Sequence, residues 1–183
     1  NQRMVQRLLP ALFARHPELS RELPEVMITS VVSDSRQVLP GSLFVACKGD
    51  VLDGHKFIDD AIRRGAAAVV GEDTHPILSP NIPYIRLVNS RQWLAELSAA
   101  FYDFPAHKLT VIGVTGTDGK TTTTSLIHQI LVAAGKKTGM ISTVSAVIGD
   151  QVLDTGFHVT TPDAPDVQRF LAKMVEADLT HVV

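Results

Sequence analysis

The chain has 183 residues, of which 45% are hydrophobic and 20% are charged, and its net charge is −2. These values are typical of a globular protein with one large domain or two small ones. The dispersed basic residues and the near-zero net charge argue against a nucleic-acid partner. The single cysteine, Cys47, excludes an internal disulfide, and no run is long and apolar enough for a membrane span or a signal peptide. We therefore expect a cytoplasmic protein without a membrane or nucleic-acid partner.

The first part of the chain alternates apolar runs with turn signals. An apolar face over residues 4 to 13 predicts a helix. Strands are predicted over 26 to 32 and 43 to 47, and the second of these buries Cys47 as a reduced thiol. Between them, Ser33-Asp-Ser-Arg36 has the composition of a polar turn.

Two capped helices follow in the N-terminal half. Asp53 is placed to cap a helix from about 55 to 64, which Gly65 ends. A second helix starts at Asn89 or Ser90 and places Trp93, Leu94, Leu97 and Phe101 on one face. Strands over 66 to 70 and 84 to 88 separate the two helices, so the pattern predicts an α/β fold.

Residues 102 to 108 have the character of a domain boundary, because Pro105 blocks continuation of the preceding helix. We expect an N-terminal α/β domain over residues 1–105. A second α/β domain over residues 106–183 would be the start of a nucleotide-binding domain of the P-loop type.

The stretch from Val111 to Thr124 organises this second domain. Val111–Val114 has the character of a buried strand, a turn with Gly116 and Gly119 follows, and Lys120 starts a helix. A strand, a glycine turn and a helix start form a phosphate site, because N–H groups and a lysine converge on the anion. The spacing is Gly-x5-Gly-Lys-Thr, one residue longer than the usual P-loop pattern.

The helix that begins at Lys120 is predicted to be amphipathic. Its expected core face consists of Leu126, Ile127, Ile130, Leu131 and Ala134. Four consecutive threonines, 121 to 124, are poor residues for a helix interior, and contact with a ligand would account for them. The Thr121 hydroxyl would bind a Mg²⁺ ion that bridges the phosphates.

The remainder predicts a strand over 137 to 141, a hairpin over 144 to 154 that turns at Gly149-Asp150, and a helix from about 164 to 177. Thr160-Thr-Pro-Asp163 introduces that helix. From the residues alone, this motif is a hydroxyl cap with a proline in the first turn and nothing more.

Several of these motifs together resemble the Mur ligase family. Thr115-Gly-Thr-Asp-Gly-Lys-Thr-Thr-Thr123 is similar to its ATP loop, which folylpolyglutamate synthetases share. The segments from Asp34-Ser-Arg36 to Gly65-Ala66 resemble the uridine-binding domain of the MurE and MurF branches. Gly139-Met-Ile-Ser-Thr143, Thr160-Thr-Pro-Asp163 and Thr180-His-Val-Val183 fit the MurE branch better.

The resemblance implies roles for individual residues. ATP would bind to Gly116, Thr117, Asp118, Gly119, Lys120, Thr121 and Thr122, with Lys120 and Thr121 taking part in catalysis and Thr121 holding Mg²⁺. The UDP part of the substrate would lie against Ser33, Ser35, Asp50, Val51 and Leu52. Thr160 and Thr161 would contact the UDP-muramoyl group near the reaction centre.

The activity that the resemblance implies is an ATP-dependent ligation. It would add the third amino acid to UDP-N-acetylmuramoyl-dipeptide through an acyl phosphate, in peptidoglycan synthesis. The alternatives are the MurF branch, a glutamate-ligase relative, or a non-catalytic module that binds a nucleotide or a UDP-sugar. Asp118 replaces the usual asparagine of the loop, and either points away from the phosphates or contacts Mg²⁺.

The chain lacks an initiator methionine and stops within a predicted strand. We expect it to be a piece of a longer enzyme that is monomeric at full length, and to be inactive as a ligase by itself. The N-terminal domain is expected to bind UDP weakly.

Overall fold

The structure, a computed structural model, describes residues 5–49, 52–74, 81–142, 145–149, 151–154 and 163–183. The chain divides into two compact units, Asn1–Asp103 and Phe104–Val183. We call them the N-terminal and the C-terminal unit. The mixture of parallel sheets and helices confirms the α/β fold class.

A four-stranded parallel sheet forms the centre of the N-terminal unit. Its strands follow one another in chain order: β3 (Ser30–Val32), β4 (Ser42–Val45), β5 (Ala68–Gly71) and β6 (Tyr84–Arg86). Every residue of β4 and β5 is buried, as expected of central parallel strands that are covered on both faces. Phe44, Val69, Ile58 and Ala61 meet in the core of this unit.

The two helices predicted after the second and fourth strands are present. A 3-10 turn, Gly54–Phe57, leads into α3 (Ile58–Arg63), and the Asp53 carboxylate caps this segment by accepting the backbone N–H of His55. Gly65 ends it with φ +103, a conformation that favours glycine. Asn89 caps α4 (Ser90–Phe101) by accepting the N–H of Gln92 at 3.2 Å. The capping predictions are therefore confirmed.

The start of the chain differs from the predicted helix over residues 4 to 13. Arg7–Leu8 form β1, which pairs antiparallel with β2 (Met27–Ile28), and only Leu9–Leu12 are helical, as α1. Pro10 accounts for the late start, because proline favours the first turn of a helix and extended backbone before it. A second short helix, α2, covers Pro17–Ser20.

Five strands make up the sheet of the C-terminal unit. Its order is β10-β9-β8-β11-β7, formed by β7 (Thr110–Val111), β8 (Thr138–Ile141), β9 (Ser145–Ile148), β10 (Gln151–Asp154) and β11 (His181–Val182). Strand β11 lies between β7 and β8 and pairs parallel with both. The predicted hairpin is present as the antiparallel pair β9–β10, although Asp150 lies outside the described residues.

The predicted buried strand over Val111–Val114 is wrong in extent and in burial. The strand is Thr110–Val111, and Val111 is 53% exposed. The reason is its position, because β7 lies at the edge of the sheet and pairs with β11 alone.

The predicted core face of the helix after the glycine turn is wrong for three of its five residues. This helix is α5 (Lys120–Ala133); Leu126 and Ile130 are 54% and 67% exposed, and Ala134 is also exposed. Ile127 and Leu131 are half-buried. The contacts of α5 with β8 include polar side chains: the Ser125 hydroxyl lies 3.9 Å from the Met140 sulfur, and His128 Nε2 lies 3.2 Å from the Thr138 carbonyl. Packing through that face leaves Leu126 and Ile130 pointing outward.

The last helix agrees with its prediction. α6 (Ala164–Glu176) buries Phe170, Leu171 and Met174 against the sheet, where Val182 joins the same cluster. Cys47, predicted to be buried, is only half-buried. Within the described part of the chain, none of the helices combines the length and the apolar character that crossing a membrane requires.

Candidate functional site

The glycine turn between β7 and α5 builds a cavity at the carboxyl end of the sheet. Gly119 is the N-cap of α5 with φ 75, and no side chain caps this helix start. The first N–H groups of a helix have no partner within the helix, so they remain available to an anion. The cavity, of about 380 Å³, is lined by Val114, Thr117, Asp118, Gly119, Lys120, Thr121, Thr122, Thr124, Ile141 and Ser142.

Lys120 is anchored to the loop that precedes it. Its ammonium donates to the carbonyls of Gly116, at 2.7 Å, and Thr117, at 3.1 Å. An ammonium group has three N–H donors, so these two bonds leave one for an anion in the cavity. The loop thus holds the charge of Lys120 beside the helix start, where the helix dipole also favours a negative ligand.

The threonine run after Lys120 has two environments. Thr121, Thr122 and Thr123 are exposed, whereas Thr124 is 7% exposed. Thr121, Thr122 and Thr124 line the cavity. These β-branched residues at the helix start therefore place hydroxyl groups at the cavity.

The formal charges at the cavity cancel. Among the residues that line it, Lys120 carries the positive charge and Asp118 the negative charge. The end of β8 contributes Ile141 and Ser142, and Ser142 is held by its hydroxyl, which accepts from the Ser145 N–H at 3.1 Å. The cavity therefore offers hydroxyl oxygens, a carboxylate and an ammonium to a ligand.

The predicted UDP residues in the N-terminal unit lie at the carboxyl end of β3 and β4. Ser33 follows β3 and is half-buried, and Leu52, in the connection after β4, is 65% exposed. Asp50 and Val51 lie outside the described residues, as do Thr160 and Thr161. Parallel neighbours end at the same edge of a sheet, so β3 and β4 bring the Ser33 turn and the Leu52 loop to one edge.

The turn that carries Ser35 is held by its own side chains. Asp34 accepts the backbone N–H of Arg36 at 2.9 Å and pairs with its guanidinium at 2.7 Å. The side-chain bond from Arg36 lowers the pKa of Asp34. Ser35 is 7% exposed. A hydrogen bond from Arg64, and to a smaller extent one from Ser35, lowers the pKa of Asp60.

Sequence reasoning missed a polar cluster at the same edge of this sheet. Asp53, His55 and Asp73 place possible ligand atoms within 4.8 Å of one another, the one such group of three in the described ranges. The Nε2 atom of His55 accepts the N–H of Glu72 at 2.8 Å, so the neutral ring carries its proton on Nδ1. Nδ1 lies 2.6 Å from the Asp53 carboxylate, to which it donates.

This proton assignment argues against a metal ion in the cluster. A cation bound to Nδ1 would displace the proton and leave a ring with no proton on either nitrogen. The Lys48 ammonium, 3.4 Å from Asp73, already balances one carboxylate. The cluster is therefore a hydrogen-bonded assembly, and the separation in sequence between His55 and Glu72 kept it from being seen in the motifs.

Two family models match the chain. The model described as "Mur ligase family, catalytic domain" matches residues 27–102, and the "Mur ligase middle domain" matches residues 114–183. The cavity lies within the second match, and the Ser33 turn and the Leu52 loop lie within the first.

Curated proteins are similar over most of the chain. The UDP-N-acetylmuramyl-tripeptide synthetase of Roseiflexus sp. (strain RS-1) is 47% identical over 156 residues, which is 85% of this chain and 31% of that protein. The UDP-N-acetylmuramoyl-L-alanyl-D-glutamate--2,6-diaminopimelate ligase of Geobacillus kaustophilus is 45% identical over 155 residues, 85% of this chain and 31% of the relative. The chain thus spans about a third of the length of these relatives.

Solved structures share the fold. A UDP-N-acetylmuramoyl-L-alanyl-D-glutamate--2,6-diaminopimelate ligase superimposes with a TM-score of 0.71 at 24% identity, over 93% of this chain and 34% of that one. The UDP-N-acetylmuramoylalanyl-D-glutamyl-2,6-diaminopimelate--D-alanyl-D-alanyl ligase from Acinetobacter baumannii gives 0.62 at 20% identity, over 100% of this chain and 37% of that one. At such identities, the likeness is one of fold.

Proposed function

The chain belongs to the Mur ligase family, and on that premise we propose that it is part of an ATP-dependent ligase of peptidoglycan synthesis. The reaction would add the third amino acid to UDP-N-acetylmuramoyl-dipeptide. The names of the relatives at 43% to 47% identity favour this branch over the MurF branch and over a non-catalytic module. We further propose that the full-length protein is cytoplasmic, where ATP is available, and that it is a monomer without a membrane or nucleic-acid partner.

The observation that carries the proposal is the helix start at Lys120. Gly119 caps α5 without a side chain, Lys120 is anchored by two loop carbonyls, and four threonines line the same cavity. The ATP phosphates would lie against Gly116, Thr117, Asp118, Gly119, Lys120, Thr121 and Thr122. A charge-assisted bond from Lys120 would stabilise the phosphoryl group as it moves, which is the main demand of such a reaction.

The residues at the cavity also fit Mg²⁺. Hydroxyl and carboxylate oxygens are the hard ligands that this ion prefers, and Thr121 and Asp118 supply them at the cavity. Thr121 would hold the ion. When bound, Mg²⁺ would neutralise part of the phosphate charge.

The proposed chemistry proceeds in two transfers. The dipeptide carboxylate takes the γ-phosphoryl group from ATP, giving an acyl phosphate and ADP. The amine of the incoming amino acid then attacks the acyl carbon, an amide bond forms, phosphate leaves and the amine loses a proton. Lys120 acts in the first transfer by holding the phosphoryl oxygens.

The substrate contacts are proposed residue by residue. Ser33, Ser35, Asp50, Val51 and Leu52 would hold the UDP moiety, and Thr160 and Thr161 the muramoyl end. Because the Ser35 side chain is buried against Asp60, Ser35 would contribute through its backbone or a remaining lone pair. Exposed Leu52 would contribute directly.

Replacement of Lys120 by alanine in the full-length enzyme tests the proposal. We expect turnover to be lost, and ATP binding to weaken at least about tenfold, because charge-assisted bonds are about twice as strong as neutral ones. Little folding stability should be lost, since the Lys120 contacts lie in an exposed loop. Measurements are ligase turnover, calorimetric ATP binding and Tm.

Lys136→Ala is the matched control, because Lys136 is an exposed lysine just beyond the other end of α5. It should leave turnover and binding unchanged. Near-normal turnover of the Lys120 variant, with an unchanged Tm, would contradict the phosphate-loop assignment.

A further inference from the structure

A ring of hydrogen bonds, closed by a backbone bridge between Lys48 and Asp53, joins three loops at the carboxyl end of the four-stranded sheet. We define the ring by Lys48, Asp53, His55, Glu72 and Ser90. The Ser90 hydroxyl accepts the Lys48 N–H at 3.3 Å and donates to the Glu72 carboxylate at 2.7 Å. The Glu72 N–H donates to His55, His55 donates to Asp53, and Asp53 pairs with Lys48 in an antiparallel bridge.

His55 is the member of the ring that no other residue type could replace completely. Its side chain is 8% exposed, and its two nitrogens have opposite roles. Nε2 accepts from the backbone of Glu72, and more weakly from Asp73 at 3.3 Å, while Nδ1 donates to Asp53. A neutral imidazole presents an acceptor and a donor at once, which a protonated imidazole does not.

The ring closes the base of the loop that follows β4. The N–H of Gly54 donates to the Cys47 carbonyl at 2.9 Å, and the N–H of Gly49 donates to the Leu52 carbonyl at 2.9 Å. A Cβ on Gly54 would lie 2.8 Å from the backbone of Cys47, so the two arms of the loop approach as closely as glycine allows. We call the two described arms, residues 47–49 and 52–54, the β4 loop.

The end of β5 also lies against His55. A Cβ on Gly71 would lie 2.9 Å from His55 Nε2, so glycine is required for the imidazole to reach the backbone of Glu72. The Tyr84 hydroxyl and the Arg86 guanidinium hold the carbonyls of Asp73 and Glu72, at 2.6 and 2.9 Å. The acceptor side of His55 therefore meets a fixed segment of backbone.

We propose that His55 is a positioning residue, which through the ring holds the β4 loop in place for the UDP moiety of the substrate. The inference rests on the proposed function, because that function makes the β4 loop a substrate contact. Buried on the core side, His55 and Ser90 do not themselves touch UDP; they fix the ends of the loop from which Leu52 is exposed. A bound ligand then meets a loop that is already ordered, which lowers the entropy lost on binding.

Two variants test the ring from different elements, in the 183-residue chain. His55→Leu removes both nitrogen contacts, and Ser90→Ala removes one hydroxyl from the start of α4. The primary measurement is amide hydrogen exchange at Gly49 and Gly54. We expect both variants to accelerate this exchange about tenfold or more. His55→Leu loses the bonds to Asp53 and Glu72, and Ser90→Ala loses the bond to the Glu72 carboxylate.

The second measurement is the affinity for UDP, by NMR titration. Both variants should bind UDP several-fold more weakly than the parent chain. His55→Gln should restore part of both effects, because its amide oxygen can accept from the Glu72 N–H. Nitrogen NMR of the parent chain should find the His55 proton on Nδ1.

Ile62→Ala is the control for general destabilisation, since Ile62 packs against the core from α3, the helix after His55, without joining the ring. It should lower Tm without a selective effect at Gly49 and Gly54. If His55→Leu does not fold, the amide exchange of Ser90→Ala at Gly49 and Gly54 tests the inference. Exchange at Gly49 and Gly54 that is unchanged in Ser90→Ala, or a His55 proton on Nε2, would overturn the inference.

The two proposals can fail separately. A parent chain that shows no shift with UDP at millimolar concentration would count against the proposed UDP site, while the exchange measurements would still decide whether the ring orders the loop. A parent chain that binds UDP, with variants that bind equally well, would leave the UDP site intact and refute the positioning role.

Discussion

Asp118 is the residue whose charge matters most for the nucleotide proposal. It lines the cavity together with Lys120, so the site has one acid for its one base. ATP would bring several negative charges beside the carboxylate. At about 4 Å in water-like surroundings, a like-charge pair costs about 1 kcal/mol, which corresponds to about a fivefold change in affinity.

We expect Asp118→Asn to bind ATP about fivefold more tightly than the parent enzyme if the carboxylate points away from Mg²⁺. The gain should shrink at high salt, because screening weakens repulsion between exposed charges. Calorimetric ATP titrations at low and high salt, with Mg²⁺ held constant, would measure it.

Glu176→Gln makes the same change of charge at an exposed position at the end of α6, and should leave the affinity as it is. Weaker binding by Asp118→Asn would show the opposite role for Asp118, as a contact of Mg²⁺. The two orientations of the Asp118 carboxylate that the sequence leaves open therefore predict opposite changes in ATP affinity for Asp118→Asn.

At the scale of elements, the start of α4 depends on a carboxylate from another part of the chain. Glu72 accepts both the backbone N–H and the hydroxyl of Ser90, at 2.8 and 2.7 Å. The Ser90 backbone bond is the larger cause of a lowered pKa for Glu72, followed by the hydroxyl bond. The negative charge also lies at the N-terminus of the helix, where the dipole favours it.

Glu72→Gln should make the stability of the N-terminal unit less dependent on pH. A carboxyl group whose folded pKa is below its ordinary value stabilises the fold above that ordinary value, and loses this effect as the pH falls through the folded pKa. The parent chain should therefore exceed the variant in unfolding free energy at neutral pH, and the difference should diminish below about pH 4.5. Urea unfolding across this range would measure it.

Glu22→Gln, an exposed change of the same kind in the same unit, should be close to neutral at every pH. A difference between parent and Glu72→Gln that stays constant as the pH falls would contradict the role of the charged carboxylate. Such a constant difference would mean that the shape of the Glu72 side chain, and not its charge, stabilises the unit.

At the scale of the whole molecule, each unit has its own apolar core. The N-terminal core gathers around Phe44, Ile58 and Val69, and the C-terminal core around Phe170 and Met174. Phe44 and Met174 are both fully buried. Loss of a buried side chain costs its transfer free energy and leaves a cavity, so each core is sensitive to truncation.

We expect Phe44→Ala to lower the unfolding free energy of the N-terminal unit by about 3–5 kcal/mol, the range for phenylalanine truncated in a core. Amide exchange in β3 to β6 should accelerate by the factor that corresponds to this loss of unfolding free energy. Hydrogen exchange combined with urea unfolding would measure both quantities.

Val88→Ala is the control in the same unit, because Val88 is 87% exposed, and its cost should stay within about 0.5 kcal/mol. Similar losses in the two variants would show that Phe44 does not have the core position described here.

Much of the local structure was predictable because it depends on neighbours in sequence. Asp53 and Asn89 cap the helical segments that follow them, and Gly65 ends the first of these segments with a positive φ. The β9–β10 hairpin forms over the residues predicted for it. The turn between β7 and α5 belongs to the same class, since a strand, a glycine turn and a helix start lie within a few residues. The positions of Asp50, Val51, Thr160 and Thr161 fall outside the described residues, and their roles stay predictions.

The α/β class, most helix limits and the Lys120 loop follow from the residue order alone, because propensity, capping and glycine turns act over a few residues. The face of α5 that meets the sheet depends on packing between distant elements, since Leu126 and Ile130 satisfy the helical pattern yet point outward. The contacts of Glu72 with His55 and with Ser90 also depend on such packing. Those residues are far apart in sequence, and parallel strands bring them together by ending at one edge of the sheet.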